Sequence, residues 1–319
     1  MSANWCSGCA VASPMGHAAL SAMVGAIANF VYAQRVHGLQ QRRLLTLFGS
    51  VSAAIALGAA LASGMITVTG VVALLMFAVA CYAYRMMERP TAVLAMTALI
   101  FVAAILLATH RIPGFHGQPL LAPTTICDGC QSLWMLGHLD KPFVGLLLFA
   151  IALGGLTRLP RSTAPPAAAQ PSLGSNAGVT VTTIVVVTLI VMGVMSLLSA
   201  VRWAPKAPDA STVVMFLALN LFFTTFAEEV FFRMFLHDAL RRTAPSTFDQ
   251  PWKIIALSAA LFGVAHVGGS PLLMLGAAIA GLGYGYVYEK TQRIEWAIAA
   301  HFGVNVTHFF LFSYPRLTP

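Results

Sequence analysis

Charged residues are scarce in this sequence. Only 9% of its 319 residues are charged, whereas 58% are hydrophobic, and the mean hydropathy is +0.81. A soluble globular chain carries about 25% charged residues, so the composition excludes an ordinary soluble domain. It predicts an all-α protein of the polytopic membrane class, because long apolar helices are the usual way for a chain to cross a bilayer.

A separate basic domain and the features of a cleavable signal peptide are also absent. The net charge of +8 comes from Lys and Arg residues in short connections between apolar runs, which indicates membrane topology rather than nucleic-acid binding. Residues 1–14 contain no basic region ahead of an apolar run, so we expect no cleavable signal. The expected surroundings are a lipid bilayer, with no nucleic-acid partner.

About ten apolar runs are candidate spans. They cover residues 17–33, 44–62, 66–84, 92–109, 143–156, 179–200, 213–236, 254–267, 272–288 and 296–312. Basic residues follow every second run, and this alternation predicts that both termini lie outside the cytoplasm. The alanine-rich composition favours a bacterial inner membrane as the location.

A Pro- and Ala-rich stretch divides the chain. Residues 161–178 have the composition of a flexible linker. We therefore expect a helical membrane bundle of unknown role in residues 1–160, for which a scaffold is the simplest interpretation. A second membrane bundle is expected in residues 179–319.

Two carboxylates and an arginine interrupt the apolar seventh run. Glu228, Glu229 and Arg233 each cost roughly 2.5–3.5 kcal/mol near the centre of a bilayer, so a chain that carries them usually has a use for them. In a helix, Glu229 and Arg233 lie on one face and can pair. Glu228 lies about 100° round the helix. The spacing predicts a supporting Glu229–Arg233 pair and leaves Glu228 for chemistry.

Later spans contribute further polar groups. His266 lies near the end of the eighth run, while His301 and Asn305 lie four residues apart in the last run, with His308 three residues further on. Each residue alone is explained by interhelical hydrogen bonding, and that interpretation is preferred for His308. The Glu229–Arg233 pair alone could fix helix register. The presence of such groups on three successive segments favours a functional site.

The combined set is suited to water activation and amide cleavage. Glu228 is the candidate general base, and His266 can orient the water directly or through a metal. His301 and Asn305 offer N–H donors to an oxyanion, and one such donor can be worth roughly 2.7–4 kcal/mol. The HExxH motif is absent, so a zinc ion in the active site would need ligands from different helices, with His266 and His301 as the candidates.

The predicted depths of these groups disagree. At about 1.5 Å of rise per residue, Glu228 and His301 lie roughly 10 Å from the cytoplasmic ends of their spans. His266 lies nearer 20 Å by the same measure. The three side chains are expected to meet only if the eighth span is shorter or shifted.

These motifs resemble those of the CPBP family, which groups type II CAAX prenyl endopeptidases with bacteriocin-processing and ABI-type membrane proteins. The family pattern is EExxxR, then FxxxH, then HxxxN or HxxxD, each on its own helix. In this sequence the three motifs begin at Glu228, Phe262 and His301, in that order. The resemblance covers about residues 179–312.

The resemblance implies a role for each matching residue. Glu228 resembles the glutamate that activates the hydrolytic water, with His266 beside it. His301 and Asn305 resemble the oxyanion-stabilising pair, and Glu229 with Arg233 resembles their support. The implied activity is intramembrane endopeptidase cleavage near the end of a membrane-associated protein or peptide, such as a CAAX-like or sorting tail or a leader peptide. Both a glutamate-dependent and a metal-dependent mechanism stay open.

Two other classes remain as alternatives. One is a non-catalytic membrane protein, such as an immunity factor or a partner of an envelope complex. The other is a proton-coupled carrier, since intramembrane acids also occur in transporters. Against the carrier, the two acids are adjacent in one helix and the halves show no sequence repeat.

Four of the five cysteines form two CxxC pairs. These are Cys6 with Cys9 and Cys127 with Cys130, in connections that the topology places outside the cytoplasm. Two disulfides, a four-thiolate zinc site and reactive thiols are the alternatives. We expect the connection at residues 109–141 to form a small external cap.

Overall fold

The structure is a computed structural model that describes residues 13–36, 38–152, 172–243 and 250–315. Within these ranges helices dominate, and several begin at residues suited to a helix start. Proline occupies the first turn of α1, α4, α10 and α11, where its missing N–H costs nothing. The helices are α1 (Pro14–Ala33), α2 (Leu39–Ala62), α3 (Val68–Met86), α4 (Pro90–Ala108), α5 (Asp140–Leu147), α6 (Leu173–Leu197), α7 (Ala210–Ala218), α8 (Phe226–Glu229), α9 (His237–Thr243), α10 (Pro251–Ala265), α11 (Pro271–Thr291) and α12 (Ile294–Leu311).

Seven helices of the described ranges are long and apolar enough to cross a membrane. These are Pro14–Ala33, Gln40–Ala62, Val68–Met86, Pro90–Ala108, Leu173–Leu197, Ala210–Thr243 and Pro271–Thr291. The prediction of an all-α polytopic membrane protein is confirmed. The sequence predicts about ten spans; the eighth and tenth runs correspond to α10 and α12, which are not among these seven, and the fifth run begins in α5, with its residues 153–156 outside the described residues.

The seventh predicted span is one composite helix, Ala210–Thr243. Two π-helical stretches, Leu219–Thr225 and Val230–Leu236, alternate with α7, α8 and α9 along it. π-Helical geometry is rare and occurs frequently at functional sites. The two glutamates lie in α8, between the π-helical stretches.

Helix α6 begins earlier than the sequence pattern predicts. Ser172 caps it by accepting a hydrogen bond from the backbone N–H of Ser175 at 3.2 Å, and the helix starts at Leu173. Residues 173–178 of the predicted linker are therefore helical. The rest of the linker, residues 161–171, lies outside the described residues.

The connection between α4 and α5 contains a small antiparallel hairpin. Strand β1 (Gln118–Thr124) pairs with β2 (Leu133–Gly137). The turn between them holds Cys127 and Cys130, whose sulfurs are bonded to each other. This pair supports the disulfide alternative and leaves no thiolate at either position for a four-thiolate zinc site. Cys6 and Cys9 lie outside the described residues.

The two halves of the chain share one hydrophobic core. Phe101 of α4 packs against Phe231 of the composite helix, with ring centroids 5.4 Å apart. Tyr84 of α3 packs edge-on against Phe235 at 5.0 Å. Helices of the N-terminal half therefore pack against the segment that carries the glutamates, instead of forming a detached bundle.

A glycine allows α5 to approach α8 closely. A Cβ atom added at Gly145 would lie 2.8 Å from the Cα of Ala227, which no side chain tolerates without movement of the backbone. Ala227 immediately precedes Glu228. The absence of a side chain at Gly145 thus allows α5 to pack closely against the helix that carries the acidic pair.

Candidate active site

Glu229 is the fully buried member of the acidic pair. Its side chain is 0% exposed, and Oε2 lies 3.3 Å from Nε of Arg233, which is also 0% exposed. Its other oxygen, Oε1, lies 2.8 Å from Nδ1 of His301. An ionised carboxylate can only accept hydrogen bonds, so Nδ1 of His301 is the donor. The predicted Glu229–Arg233 pair is present, and it also orients an imidazole from α12.

Arg233 is held from several sides. Its Nη2 donates to the carbonyl oxygen of Gly281 on α11 at 3.1 Å. Its guanidinium also lies over the rings of Phe262 and Tyr284, at 4.7 Å and 5.5 Å from their centroids. Cation–π contacts of this kind strengthen when they are desolvated. The arginine therefore ties the composite helix to α10 and α11.

Glu228 has a partner that the sequence motif does not contain. Its Oε1 lies 2.5 Å from Nζ of Lys141, in the first turn of α5, and its side chain is 11% exposed. The other oxygen, Oε2, lies 3.8 Å from Nε2 of His301. This distance is too long for a direct hydrogen bond. Lys141 thus occupies one carboxylate oxygen and turns the other towards His301.

His301 is fixed by its neighbours as well as by Glu229. Its ring stacks on Tyr284, with centroids 4.4 Å apart and planes 13° from parallel. Phe262 contacts it edge-on at 5.7 Å. With Nδ1 on Glu229, the ring presents Nε2 towards Glu228. One imidazole therefore lies between the two glutamates, bonded to Glu229 and 3.8 Å from Glu228.

His266 reaches the same site from the end of α10. It directly follows the last residue of that helix, and its Nδ1 donates to the carbonyl oxygen of Phe262 at 2.8 Å. This contact leaves Nε2 as the second ring nitrogen. His266 and Glu228 line one cavity of about 180 Å³ together with Lys141. The depth mismatch expected from the sequence does not keep the two residues apart, since they line one cavity, although α10, with 15 residues, is no shorter than the predicted run of residues 254–267.

Asn305 lies one turn beyond His301 on α12, but its contact is with another residue. Its Nδ2 donates to Oδ1 of Asn220 at 3.3 Å, and Oγ1 of Thr225 donates to the same oxygen at 3.2 Å. One amide hydrogen of Asn305 is therefore in use. His308 contacts the backbone carbonyl of Ser313 at 3.1 Å, in line with the structural role expected for it.

The donor atoms around Glu228 bear on whether a metal ion could bind there. Among the described residues, the three-residue groups whose donor atoms converge do not include Glu228, His266 or His301. Nδ1 of both histidines donates to a protein oxygen, an orientation that metal-ligating histidines also have, while a lysine ammonium contacts Glu228. A cation placed there would face the positive charge of Lys141 at short range. The charge of Lys141 is therefore the feature of this site that opposes a metal ion.

Three contributors to this site were missed from the sequence. Lys141 stands at the start of a short apolar run, and an isolated lysine in that position is a candidate counter-ion for an intramembrane acid. Tyr284 lies in α11 among several glycines, which allow helices to approach closely. Asn220 is a single amide in an apolar segment and carries no spacing signal of its own.

Comparison with known proteins confirms the resemblance that the three motifs indicate. Residues 210–307 match the family model described as Rce1-like, type II CAAX prenyl endopeptidase Rce1-like. The matched segment contains all six predicted site residues and excludes Lys141. No curated protein and no solved structure is similar enough to the chain to count as a match.

Proposed function

We propose that this chain, which carries a domain similar to the type II CAAX prenyl endopeptidases, hydrolyses a peptide bond near the end of a membrane-associated protein or peptide. The family match suggests CAAX-type intramembrane proteolysis, and the seven apolar helices make the chain an integral membrane protein. The observation that carries the proposal is that Glu228 and His266 line one cavity, while Nε2 of His301 lies 3.8 Å from Oε2 of the glutamate.

In the proposed mechanism, Oε2 of Glu228 takes a proton from the water that attacks the scissile carbonyl, and then gives that proton to the leaving amine nitrogen as the C–N bond breaks. Oε1 is held by Lys141, so Oε2 is the oxygen available for this step. Positioned general bases typically contribute about 10²–10⁴-fold to the rate. His266 adds a second contact to the water through Nε2, because its Nδ1 is fixed on a backbone carbonyl.

The oxyanion that forms on the scissile carbonyl needs a hydrogen-bond donor. His301 can take this role as an imidazolium, which donates Nδ1–H to Glu229 and has Nε2–H left for the oxyanion; Glu229 and Tyr284 fix its ring. The ammonium of Lys141 is a second positive group beside the same cavity. Asn305 can take part through the amide hydrogen that Asn220 does not use.

The substrate tail has a second cavity in which to lie. It has a volume of about 300 Å³, and its lining includes Trp134, Asn220, Tyr314 and Lys141. Lys141 lines both cavities, so a chain end in the larger cavity would place a peptide bond next to Glu228. A membrane-associated peptide with an apolar end is the substrate class that such a position suits.

The test is cleavage of an internally quenched farnesylated peptide with a CAAX tail, and of its unprenylated counterpart, by the full chain in proteoliposomes. We expect Glu228→Gln to lower kcat at least about 100-fold, with its thermal unfolding midpoint close to that of the unmodified chain. The control is Glu289→Gln, which removes a carboxylate at the end of α11 that pairs with Arg241. Full cleavage by Glu228→Gln would overturn the mechanism.

A further inference from the structure

A group of metal-ligating side chains lies in the cap, outside the site around Glu228. His110, His138 and Asp140 each present a donor atom, and these atoms all lie within 4.8 Å of one another. Nδ1 of His110 lies 2.5 Å from Oδ2 of Asp140. The rings of His110 and His138 stack, with centroids 3.8 Å apart. Three segments meet here, since His110 follows α4, His138 follows β2 and Asp140 begins α5.

His138 has a ring nitrogen that the protein leaves without a partner. Its Nδ1 is buried and has no hydrogen bond to any described residue. Its Nε2 faces Gly117, where an added Cβ would come within 2.5 Å of that nitrogen. A buried polar atom without a partner costs about 1–3 kcal/mol. A ligand in contact with Nδ1 would remove that penalty.

Asp140 is a fully buried carboxylate, with its side chain 0% exposed. Oδ1 accepts the backbone N–H of Lys141 at 2.8 Å, which fixes the carboxylate plane. Oδ2 is the oxygen that faces His110. Such a hydrogen-bonded, oriented carboxylate is the form in which Asp ligates metal ions.

His110 occupies a backbone position that usually takes glycine. It has φ of +57°, in the left-handed region, directly after the last turn of α4. The N–H of His110 bonds the carbonyl of Leu107 and that of Arg111 bonds Leu106, which is the arrangement of a glycine-terminated helix end. A non-glycine residue there costs roughly 1–2 kcal/mol. The backbone position therefore does not require histidine, although histidine is one of the residues found more often at positive φ.

We propose that His110, His138 and Asp140 bind a divalent transition-metal ion of the zinc class. Two imidazoles and one carboxylate are a common protein ligand set for such ions and leave a position open for water. Donors around a tetrahedral zinc ion lie about 3.3 Å apart, for bonds of about 2.0 Å. The present spacing of up to 4.8 Å therefore closes on binding, and the half-exposed His110 is the side chain that moves.

A simple His110–Asp140 ion pair explains less of this arrangement. It accounts for the 2.5 Å contact but leaves Nδ1 of His138 without a partner. A metal ion accounts for all three residues. It would also tie the hairpin and the end of α4 to the start of α5, next to Lys141. His110 and His138 also line the larger cavity proposed for the substrate tail, but none of the three residues has a role in the proposed reaction, so metal binding can be tested without a substrate.

The experiment uses the full chain, purified in detergent through a tag without histidine and stripped of metal with a chelator. Titration with Co²⁺ is followed by its visible ligand-field absorption, and Zn²⁺ is then added as a competitor. We expect about one equivalent of Co²⁺ to bind and Zn²⁺ to displace it. His110→Gln, His138→Gln and Asp140→Asn should each weaken binding at least about tenfold, the size of effect that even an outer-shell change produces.

Two variants serve as controls. His17→Gln changes an exposed histidine of α1, and Glu228→Gln changes the cleavage site; both should bind Co²⁺ as the unmodified chain does. Undiminished binding by His138→Gln, loss of binding in Glu228→Gln, or no absorption at a large excess of Co²⁺ would each overturn the proposal. If the buried Asp140→Asn variant fails to fold, the half-exposed His110→Gln still decides the question. Because no substrate is needed, the result does not depend on peptidase activity.

Discussion

The buried ion pair between Glu229 and Arg233 allows a quantitative test. Both side chains are 0% exposed, so replacing Arg233 with Met leaves an uncompensated charge inside the helix bundle. Breaking such a pair costs about 3–5 kcal/mol. The variant also loses the hydrogen bond to Gly281 and the contacts with two aromatic rings. We expect Arg233→Met to fall in the upper half of that range.

The assay is equilibrium unfolding in mixed micelles with an increasing fraction of SDS, followed by far-ultraviolet circular dichroism. The control is Arg241→Met, which breaks a more exposed pair with Glu289 on α11. An exposed pair contributes about 0–1 kcal/mol. The double variant Glu229→Gln/Arg233→Met should lose less than the sum of the two single variants, because the residues interact directly.

A particular result would refute this reasoning. If Arg233→Met unfolded within about 1 kcal/mol of the Arg241→Met control, the pair would not be the buried, water-excluded contact that the geometry describes. Additive single and double variants would likewise show that Glu229 and Arg233 do not depend on each other.

Two further predictions concern packing and pH. Gly145→Ala should destabilise the protein by about 1–3 kcal/mol, because the added Cβ lies 2.8 Å from the Cα of Ala227. The control is Gly193→Ala, whose added Cβ has no atom within 4 Å. This control should be neutral or stabilising in the same unfolding assay. Burial lowers the pKa of Lys206, which lies between α6 and α7, from 10.5 to about 8. Between these two pH values the unfolded state binds more protons than the folded state, so the folded state becomes more stable as the pH rises. The unfolding midpoint of the unmodified chain, minus that of Lys206→Met, should therefore increase from pH 8 to pH 10.5. A decrease in this difference would contradict the lowered pKa of Lys206.

The sequence predicts the local features of the site better than its assembly. The Glu229–Arg233 pair follows from helical spacing alone, and the structure contains it. The contact of Glu228 with Lys141 joins residues 87 positions apart, and no periodicity reports on such a pairing. The position of His266 could not be predicted either, because it depends on where α10 starts and ends.

The count of spans shows a related limit. Apolar runs indicate helices correctly, but they do not distinguish a helix that crosses a bilayer from one buried among other helices. The predicted fifth run became α5, eight residues long, followed by the π-helical stretch Leu148–Ala152. Its first turn carries Asp140 and Lys141, which face other side chains instead of lipid. The hydrophobic pattern indicated correctly that these residues are removed from water. It did not show whether lipid or protein surrounds them.

The pairing of Lys141 with Glu228 bears on how the chain divides into units. The segment that matches the family model starts at residue 210. Lys141, the cation that pairs with Glu228, lies in the other half of the chain. A fragment cut at that boundary would keep every motif and carry an acid with no counter-charge. The segment that matches the family model is therefore shorter than the segment needed to pair Glu228 with a cation. A fragment that contains both the motifs and the cation must extend back at least to Asp140.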